Sequence, residues 1–405
     1  MSKITTILRN ISLSEDNNLT IKGNVFVFNI FPEYLLNNLI IEFIDYLDKF
    51  SLHNLFLSSF FKNLLNNNYY NDNIKLKNCI IKKYINKVGK FSNKKFKLLK
   101  GHTNYVWSVG FNHDGTNIVS GSSDNTIRVW NFDTGECILT LKGHTGSVYS
   151  VGFNHDGTKI VSGSDDKTIR VWNVDTGECI LTLKGHTNSV TSVGFNHDGT
   201  KIVSGSNDKT IRVWNVDTGE CISTLKGHTN AVLSVGFNHD GTKIVSGSGD
   251  NTIRVWKVDT GVCILTLKRH TSWVNSVGFN HDGKKIVSGS KDNTIRVWNV
   301  DTGECKLKLT HSRSIFGYNG QVRSVGFNHD DTMIISASTD YTIRVWNVDT
   351  GECILTFECH HKGVNSAVFN HDSTKIVSGG DDERIFVWEK CLPKNTFNLL
   401  TNKFI

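Results

Sequence analysis

Proline is scarce in this chain, with 2 residues among 405, and there are only 2 methionines. Long apolar runs are missing as well. The greasiest stretch, Val25–Leu47, is broken by Asn29, Pro32, Asn37, Asn38 and three acids. It falls short of the roughly 18 to 20 apolar residues that a membrane span requires. Met1–Asn10 lacks the continuous apolar core of a secretory signal. We therefore expect a soluble, intracellular and cytoplasmic chain, with nuclear entry open to it. Hydrophobic residues make up 38% and charged residues 20%, an ordinary globular composition and not a disordered one. A charge excess is absent from most of the length. The formal net charge is +7, yet residues 1–100 hold 15 Lys+Arg against 7 Asp+Glu, leaving 30 against 31 for the rest. A uniformly basic protein is excluded.

What is present is a repeat. Trp130, Trp172, Trp214, Trp256, Trp298, Trp346 and Trp388 sit in near-copies of TIRVWN, spaced 42, 42, 42, 42, 48 and 42 residues apart. The unit GHTxxVxSVGFNHDGTKIVSGSxDxTIRVWNVDTGECILTLK occurs seven times within residues 95–391. Its alternation has period two, so VGF, KIVSGS, TIRVW and CILTLK read as four short strands separated by turns. Four antiparallel strands cannot bury both faces alone. Seven stacked units closing into a ring would bury them and leave no long edge open.

The GH at the start, SxD in the middle and W-N near the end of each unit resemble the WD-repeat family, over about three quarters of the chain. The resemblance implies an all-β fold, a seven-bladed β-propeller with four-stranded blades. Phe96–Lys100 precedes the first GH as Ile138–Lys142 precedes the second. It is therefore expected to supply the outer strand of the last blade, with Thr396–Leu400 as the rival for that place.

His, Ser and Asp recurring together invite a nucleophilic triad, but an enzyme needs one such group and this chain carries about six. The resemblance implies instead hydrogen-bonded structural tetrads that rigidify the blades. These are His102/Ser122/Asp124/Trp130, His144/Ser164/Asp166/Trp172, His186/Ser206/Asp208/Trp214, His228/Ser248/Asp250/Trp256 and His270/Ser290/Asp292/Trp298. The sixth unit offers Ser338, Asp340 and Trp346, with Tyr318 where His belongs. The seventh offers His360, Asp382 and Trp388, with Gly380 in place of Ser and Cys359 in place of the Gly before His. These two blades are expected to be the weakest. The Arg two residues before Trp is the same in six units (Arg128, Arg170, Arg212, Arg254, Arg296, Arg344) and reads as blade structure.

Of the 16 histidines, six take the GH position and seven sit in NHD turns: His113, His155, His197, His239, His281, His329 and His371. His53, His311 and His361 remain, and no metal-ligand spacing emerges. Cys137, Cys179, Cys221, Cys263, Cys305 and Cys353 recur at one strand position. Placed around a ring, they point apart and cannot pair. There is no Gly-rich phosphate loop ahead of a helix. No catalytic residue, metal or cofactor is expected.

The units differ at four positions. Three residues after the His stand Tyr105, Ser147, Ser189, Ala231, Trp273, Gln321 and Gly363. Five after it stand Trp107, Tyr149, Thr191, Leu233, Asn275, Arg323 and Asn365. Flanking the Asp are Ser123, Asp165, Asn207, Gly249, Lys291, Thr339 and Asp381 before it, and Asn125, Lys167, Lys209, Asn251, Asn293, Tyr341 and Glu383 after it. The resemblance puts all four on one narrow face around the central channel, together with the six-residue insertion from His311 to Phe316. Drift at exposed turns would leave small polar residues. Trp, Tyr and Arg are instead the types enriched at interface hot spots. We expect a protein- or peptide-binding face formed by Tyr105, Trp107, Tyr149, Asp165, Trp273, Lys291, Gln321, Arg323, Tyr341 and Asp381. Its charge is mixed, so no phosphate-capturing ring of Arg is evident.

Residues 1–95 share nothing with the repeats, and 1–72 are expected to form a small helical module. Phe31-Pro32-Glu33, Leu35-Leu36, Tyr46-Leu47, Leu52, Leu55 and Leu57 have the apolar spacing of a small helical module. The pattern resembles an F-box, with Phe31 for the usual Leu and a Pro-to-Tyr gap four residues long of the norm. The resemblance implies that Phe31, Pro32, Leu35 and Leu36 bind a ubiquitin-ligase adaptor. An unrelated helical adapter or a BTB-type module are the rivals. Residues 73–100 carry ten Lys and no acid, and 73–94 read as a basic amphipathic linker helix. Residues 95–391 would be the propeller and 392–405 a tail. The order of parts implies a substrate receptor of a cullin-type ubiquitin ligase that holds its target on the propeller face. A plain scaffold competes with it, and so, more weakly, does a nucleic-acid-associated factor acting through the basic helix.

Overall fold

In the computed structural model, the described residues are 11–13, 19–21, 95–311, 320–358 and 360–389. They fall into two units, Met1–Ser92 and Asn93–Ile405. In the first, Ile11–Leu13 pairs antiparallel with Leu19–Ile21. The helices expected over 31–57 and 73–94, and with them Phe31, Pro32, Leu35 and Leu36, lie outside the described residues, as does the 392–405 tail. No helix among the described residues is long and apolar enough to cross a membrane.

The second unit is a ring of seven four-stranded antiparallel sheets. The first blade shows the rule, with Val106–Phe111 innermost, then Asn117–Ser122, Thr126–Asn131 and Cys137–Lys142 outermost. Each NHDG segment forms a tight hairpin. Asp114 Oδ1 accepts from the Thr116 amide at 2.8 Å, and Gly115 takes the left-handed φ of 71° that glycine adopts without steric cost. Burial rises through the second and third strands and falls away on the outer one, where only Leu141 is buried. The core lies between blades. Val119, Ile127, Val129 and Leu141 of the first pack against Val148, Val151, Ile160 and Trp172 of the second.

The ring closes on its N-terminal strand. Lys95–Leu99 pairs antiparallel with Ile385–Glu389 as the outer strand of the seventh blade. Lys97 Nζ fastens it to the Phe132 and Asp133 carbonyls (3.1 and 2.9 Å) and to the Glu389 carboxylate (3.2 Å). The rival strand, Thr396–Leu400, lies outside the described residues. Antiparallel order sends the GH and SxD loops to one narrow face and the NHDG and DTG turns to the other. The two faces below are called upper and lower in that sense.

Candidate functional site

Buried tetrads anchor the upper face. His102 Nδ1 bonds Asp124 Oδ2 at 2.7 Å, His102 Nε2 bonds Ser120 Oγ at 2.7 Å, and Trp130 Nε1 donates to the same Oγ at 2.8 Å. The serine is therefore Ser120, not Ser122. Both lie on the same side of their strand, but only Ser120 is next to the indole. Ser122, at the strand end, donates to the Asn104 carbonyl and accepts from the Asp124 amide. The same correction moves Ser164, Ser206, Ser248, Ser290 and Ser338 out of the tetrads. Ser162, Ser204, Ser246, Ser288 and Ser336 take their places. Burial raises the Asp124 carboxyl, but hydrogen bonds from His102 and Thr126 outweigh it and hold the group far below the usual carboxylate range. Asp166, Asp208, Asp250 and Asp292 behave alike.

The sixth blade is complete. His311, not Tyr318, fills the His place, bonding Ser336 Oγ at 2.7 Å and Asp340 Oδ2 at 3.2 Å. The extra residues thus follow the histidine, and 312–319 lie outside the described residues. Burial pushes the His311 imidazole down. Asp340 is lowered to about 2, because its hydrogen bonds and the nearby His311 and Arg344 outweigh its own burial.

The seventh blade departs at a different point from the one expected. Gly380 replaces the turn serine, while Ser378 is in place and bonds His360 Nε2 at 2.9 Å. The break is at Trp388, whose buried Nε1 has no hydrogen-bond partner among the described residues. Phe386 stands where other blades have Arg, edge-on to His360 at 4.7 Å. In the first four blades that Arg lies against the Gly of GH. A Cβ on Gly101 would lie 2.9 Å from both the Arg128 guanidinium and the Trp130 ring. The fifth and sixth blades carry Arg269 and Thr310 in place of that Gly and keep Arg296 and Arg344, while the seventh has Cys359 and Phe386. Arg128 also donates to Cys137 Sγ at 3.7 Å, and the six described cysteines are free.

The variable residues separate by geometry. The position five after His is a β-bulge in every inner strand. Val106 pairs with Ser122 and Ser108 with Gly121, which leaves Trp107 unpaired. A bulge re-aims its side chain, and all seven bulge residues line the upper channel mouth. That mouth is a cavity of about 500 Å³ shared with Asn207, Trp273, Lys291 and Gln321. Thr191, Asn275 and Asn365 use the position as a staple, donating to the next blade's Val232, Val322 and Val106 carbonyls. Trp107, Tyr149 and Leu233 make no such bond and present bulk to the mouth. Trp107 meets Tyr149 edge-on at 5.6 Å and Tyr105 at 6.2 Å, and its indole donates to Ser123 Oγ at 2.6 Å. Burial, with Asp165 nearby, raises the Tyr149 phenol. Trp273, 46% exposed, has Lys291 Nζ over its ring at 4.8 Å.

Arg323 is engaged by Asp381 Oδ2 at 2.7 Å and by Asn365. Asp165 accepts from Ser189 Oγ at 2.6 Å. Tyr105, Asp165, Tyr341 and Asp381 stand outside the mouth lining. Tyr341 and its equivalents occupy a left-handed turn position, with φ of 65–71°. Asn125, Asn251 and Asn293 there need no functional explanation, because Asn tolerates that conformation. Thr191, Asn207, Leu233, Asn275 and Asn365 line the mouth as well, beyond the expected binding residues.

The lower face carries a feature that the 42-residue spacing concealed. The seven NHD histidines close a circle, with neighbouring ring centroids between 3.9 Å (His329–His371) and 4.5 Å (His281–His329). All seven are exposed. Burial, then neighbouring imidazoles, lower His197 and His371. Among the described residues no three His, Cys, Asp or Glu already converge on one ion position.

This geometry is that of a WD-repeat β-propeller, and the matches to known proteins agree. The family model for the WDR3 first beta-propeller domain matches residues 90–258, and that for the WD domain, G-beta repeat, matches 261–299, 308–347 and 351–389. The chain belongs to the WD-repeat β-propeller family, whose members are typically non-catalytic scaffolds for protein partners. It is similar over short stretches to a range of curated proteins. One is the probable E3 ubiquitin ligase complex SCF subunit sconB of Arthroderma otae, 40% identical over 50 residues, covering 12% of this chain and 7% of that protein. Another is the ribosome biogenesis protein BOP1 homolog of Drosophila grimshawi, 50% identical over 42 residues, 10% of this chain and 5% of that protein. A third is eukaryotic translation initiation factor 3 subunit I of Schizosaccharomyces pombe, 34% identical over 68 residues, 17% of this chain and 21% of that protein. The matched stretches span about a fifth or less of each relative's length.

Proposed function

We propose that the chain is a non-enzymatic receptor in the cytoplasm that grips a protein or peptide segment at the upper channel mouth. One observation carries this. At a bulge position where three blades use a small polar staple, Trp107, Tyr149 and Leu233 present bulk to the cavity instead. Aromatic side chains supply large contact area at low entropic cost. The basic groups at the mouth are already engaged, Arg323 by Asp381 and Lys291 by Trp273. An apolar or aromatic anchor therefore suits it better than a phosphate. Replacing Trp107, Tyr149 and Trp273 by Ala should abolish capture of the partner while leaving the melting temperature within a few degrees. Undiminished capture would refute the assignment.

The finer reading is a substrate receptor of a cullin-type ubiquitin ligase, docked through Phe31, Pro32, Leu35 and Leu36. The F-box-like spacing supports it, and so does the stretch shared with an SCF subunit. The full chain, with and without Phe31→Ala/Pro32→Ala, would be assayed against the small adaptor of F-box ligases. Binding lost in the variant is the expected result. No binding by the unmutated chain leaves a scaffold without ligase link, which the stretches shared with a ribosome biogenesis protein and an initiation-factor subunit favour.

A further inference from the structure

We infer that the lower histidine circle is a binding site for borderline divalent transition ions such as Ni²⁺ or Zn²⁺, each held by two neighbouring imidazoles with water completing its shell. Three observations support this. None of the seven imidazoles has a side-chain hydrogen-bond partner among the described residues. This contrasts with the tetrad histidines, whose two nitrogens are both used. The rings stand in van der Waals proximity around an unbroken circle, for example 4.2 Å between His155 and His197 and between His197 and His239. Finally, His239, His281 and His329 border one cavity of about 240 Å³, together with Asn280 and Asn328.

An ion with bonds of about 2.0–2.1 Å to nitrogen brings its donors to roughly 3 Å from one another. Tilted rings at these centroid separations reach that spacing by side-chain rotation alone. Imidazole suits this class of ion, and binding needs it neutral. The surroundings are mixed but favour a cation. Each ring histidine is followed by an aspartate (Asp114, Asp156, Asp198, Asp240, Asp282, Asp330, Asp372), with Lys159, Lys201, Lys243, Lys284, Lys285 and Lys375 farther along the turns. Pairwise capture by seven rings allows at most three ions at once.

The test separates adjacency from histidine content. One full-length variant carries His113→Asn, His155→Asn, His197→Asn and His371→Asn and keeps His239, His281 and His329 as neighbours. A second carries His113→Asn, His197→Asn, His281→Asn and His371→Asn and keeps three histidines with no two adjacent. Both retain every cysteine, so thiol binding is a common background. Isothermal titration with Ni²⁺ at pH 7.5 should give one ion on the first variant. The second should bind at least about tenfold more weakly, and the wild-type signal should disappear at pH 5.5. Equal affinity in the two variants, or wild-type binding no stronger than when all seven histidines are Asn, would overturn the inference. Circular dichroism on each variant confirms the ring is intact.

Discussion

The propeller carries two rings of seven histidines, and they do opposite things. His102, His144, His186, His228, His270, His311 and His360 are buried, and each is tied to an aspartate and a serine of its own blade. His113 and its six equivalents are exposed and face one another across blade boundaries. Residue type and copy number are the same. Burial and partner set decide that the first ring is framework and leave the second free for chemistry. The framework ring also explains where variation is tolerated. It pins the upper loops so firmly that the bulge beside them can hold Trp, Thr or Arg without disturbing the blade.

The sharpest way to break the comparison is to delete one member of each ring. His186→Ala strips Asp208 and Ser204 of their buried imidazole partner and leaves a cavity, and should cost about 3 kcal/mol. His197→Ala at pH 8 should stay within about 0.5 kcal/mol. Thermal denaturation ranks them, and comparable losses would erase the distinction.

Acid should resolve the rings next, in two windows. His197, His371 and His311 are lowered in the folded chain. The unfolded chain therefore binds more protons just below their ordinary value of about 6.5, and stability falls as pH drops through that range. Asp124 and its equivalents are lowered too. Their contribution is present above about 3.9 and is lost only as pH falls below that value toward their folded values. Replacing the lower histidines by Asn should shrink the first step and leave the second. An unaltered first step in that variant would contradict the origin given for it.

A smaller effect tests the placement of the serines. Ser162→Ala leaves His144 Nε2 and the Trp172 indole unpartnered and should cost about 2 kcal/mol. Ser164→Ala removes a turn contact and should cost about 1 kcal/mol. The reverse order would restore Ser164 to the tetrad. The smallest effect is a gain. Lys167 sits at φ 68°, and Lys167→Asn should stabilise by about 0.5 kcal/mol.

Much of this architecture was legible because period and identity coincide. Seven Trp at a 42-residue rhythm force seven blades, and Phe96–Lys100 was recognisable as a displaced outer strand. The errors came where sequence offsets cannot measure distance. Ser120 and Ser122 lie two apart on the same side of a strand, so only the position of the indole distinguishes them. His311 reads as surplus when it is taken as the first residue of the insertion, whereas the extra residues follow it. The lower circle is invisible in the sequence because residues 42 apart become neighbours only once the ring has closed. The bulge at Trp107, which divides staples from presented side chains, leaves no mark in the alternating pattern.

The central claim is that the differences among otherwise equal blades define the partner site at the upper mouth. A variant with Trp107→Asn, Tyr149→Asn and Leu233→Asn gives these blades the staple seen at Asn275 and Asn365. Its affinity for the captured partner is the direct measurement. The prediction is an intact propeller, melting no lower than wild type, that no longer binds. Wild-type affinity in that variant would contradict the account.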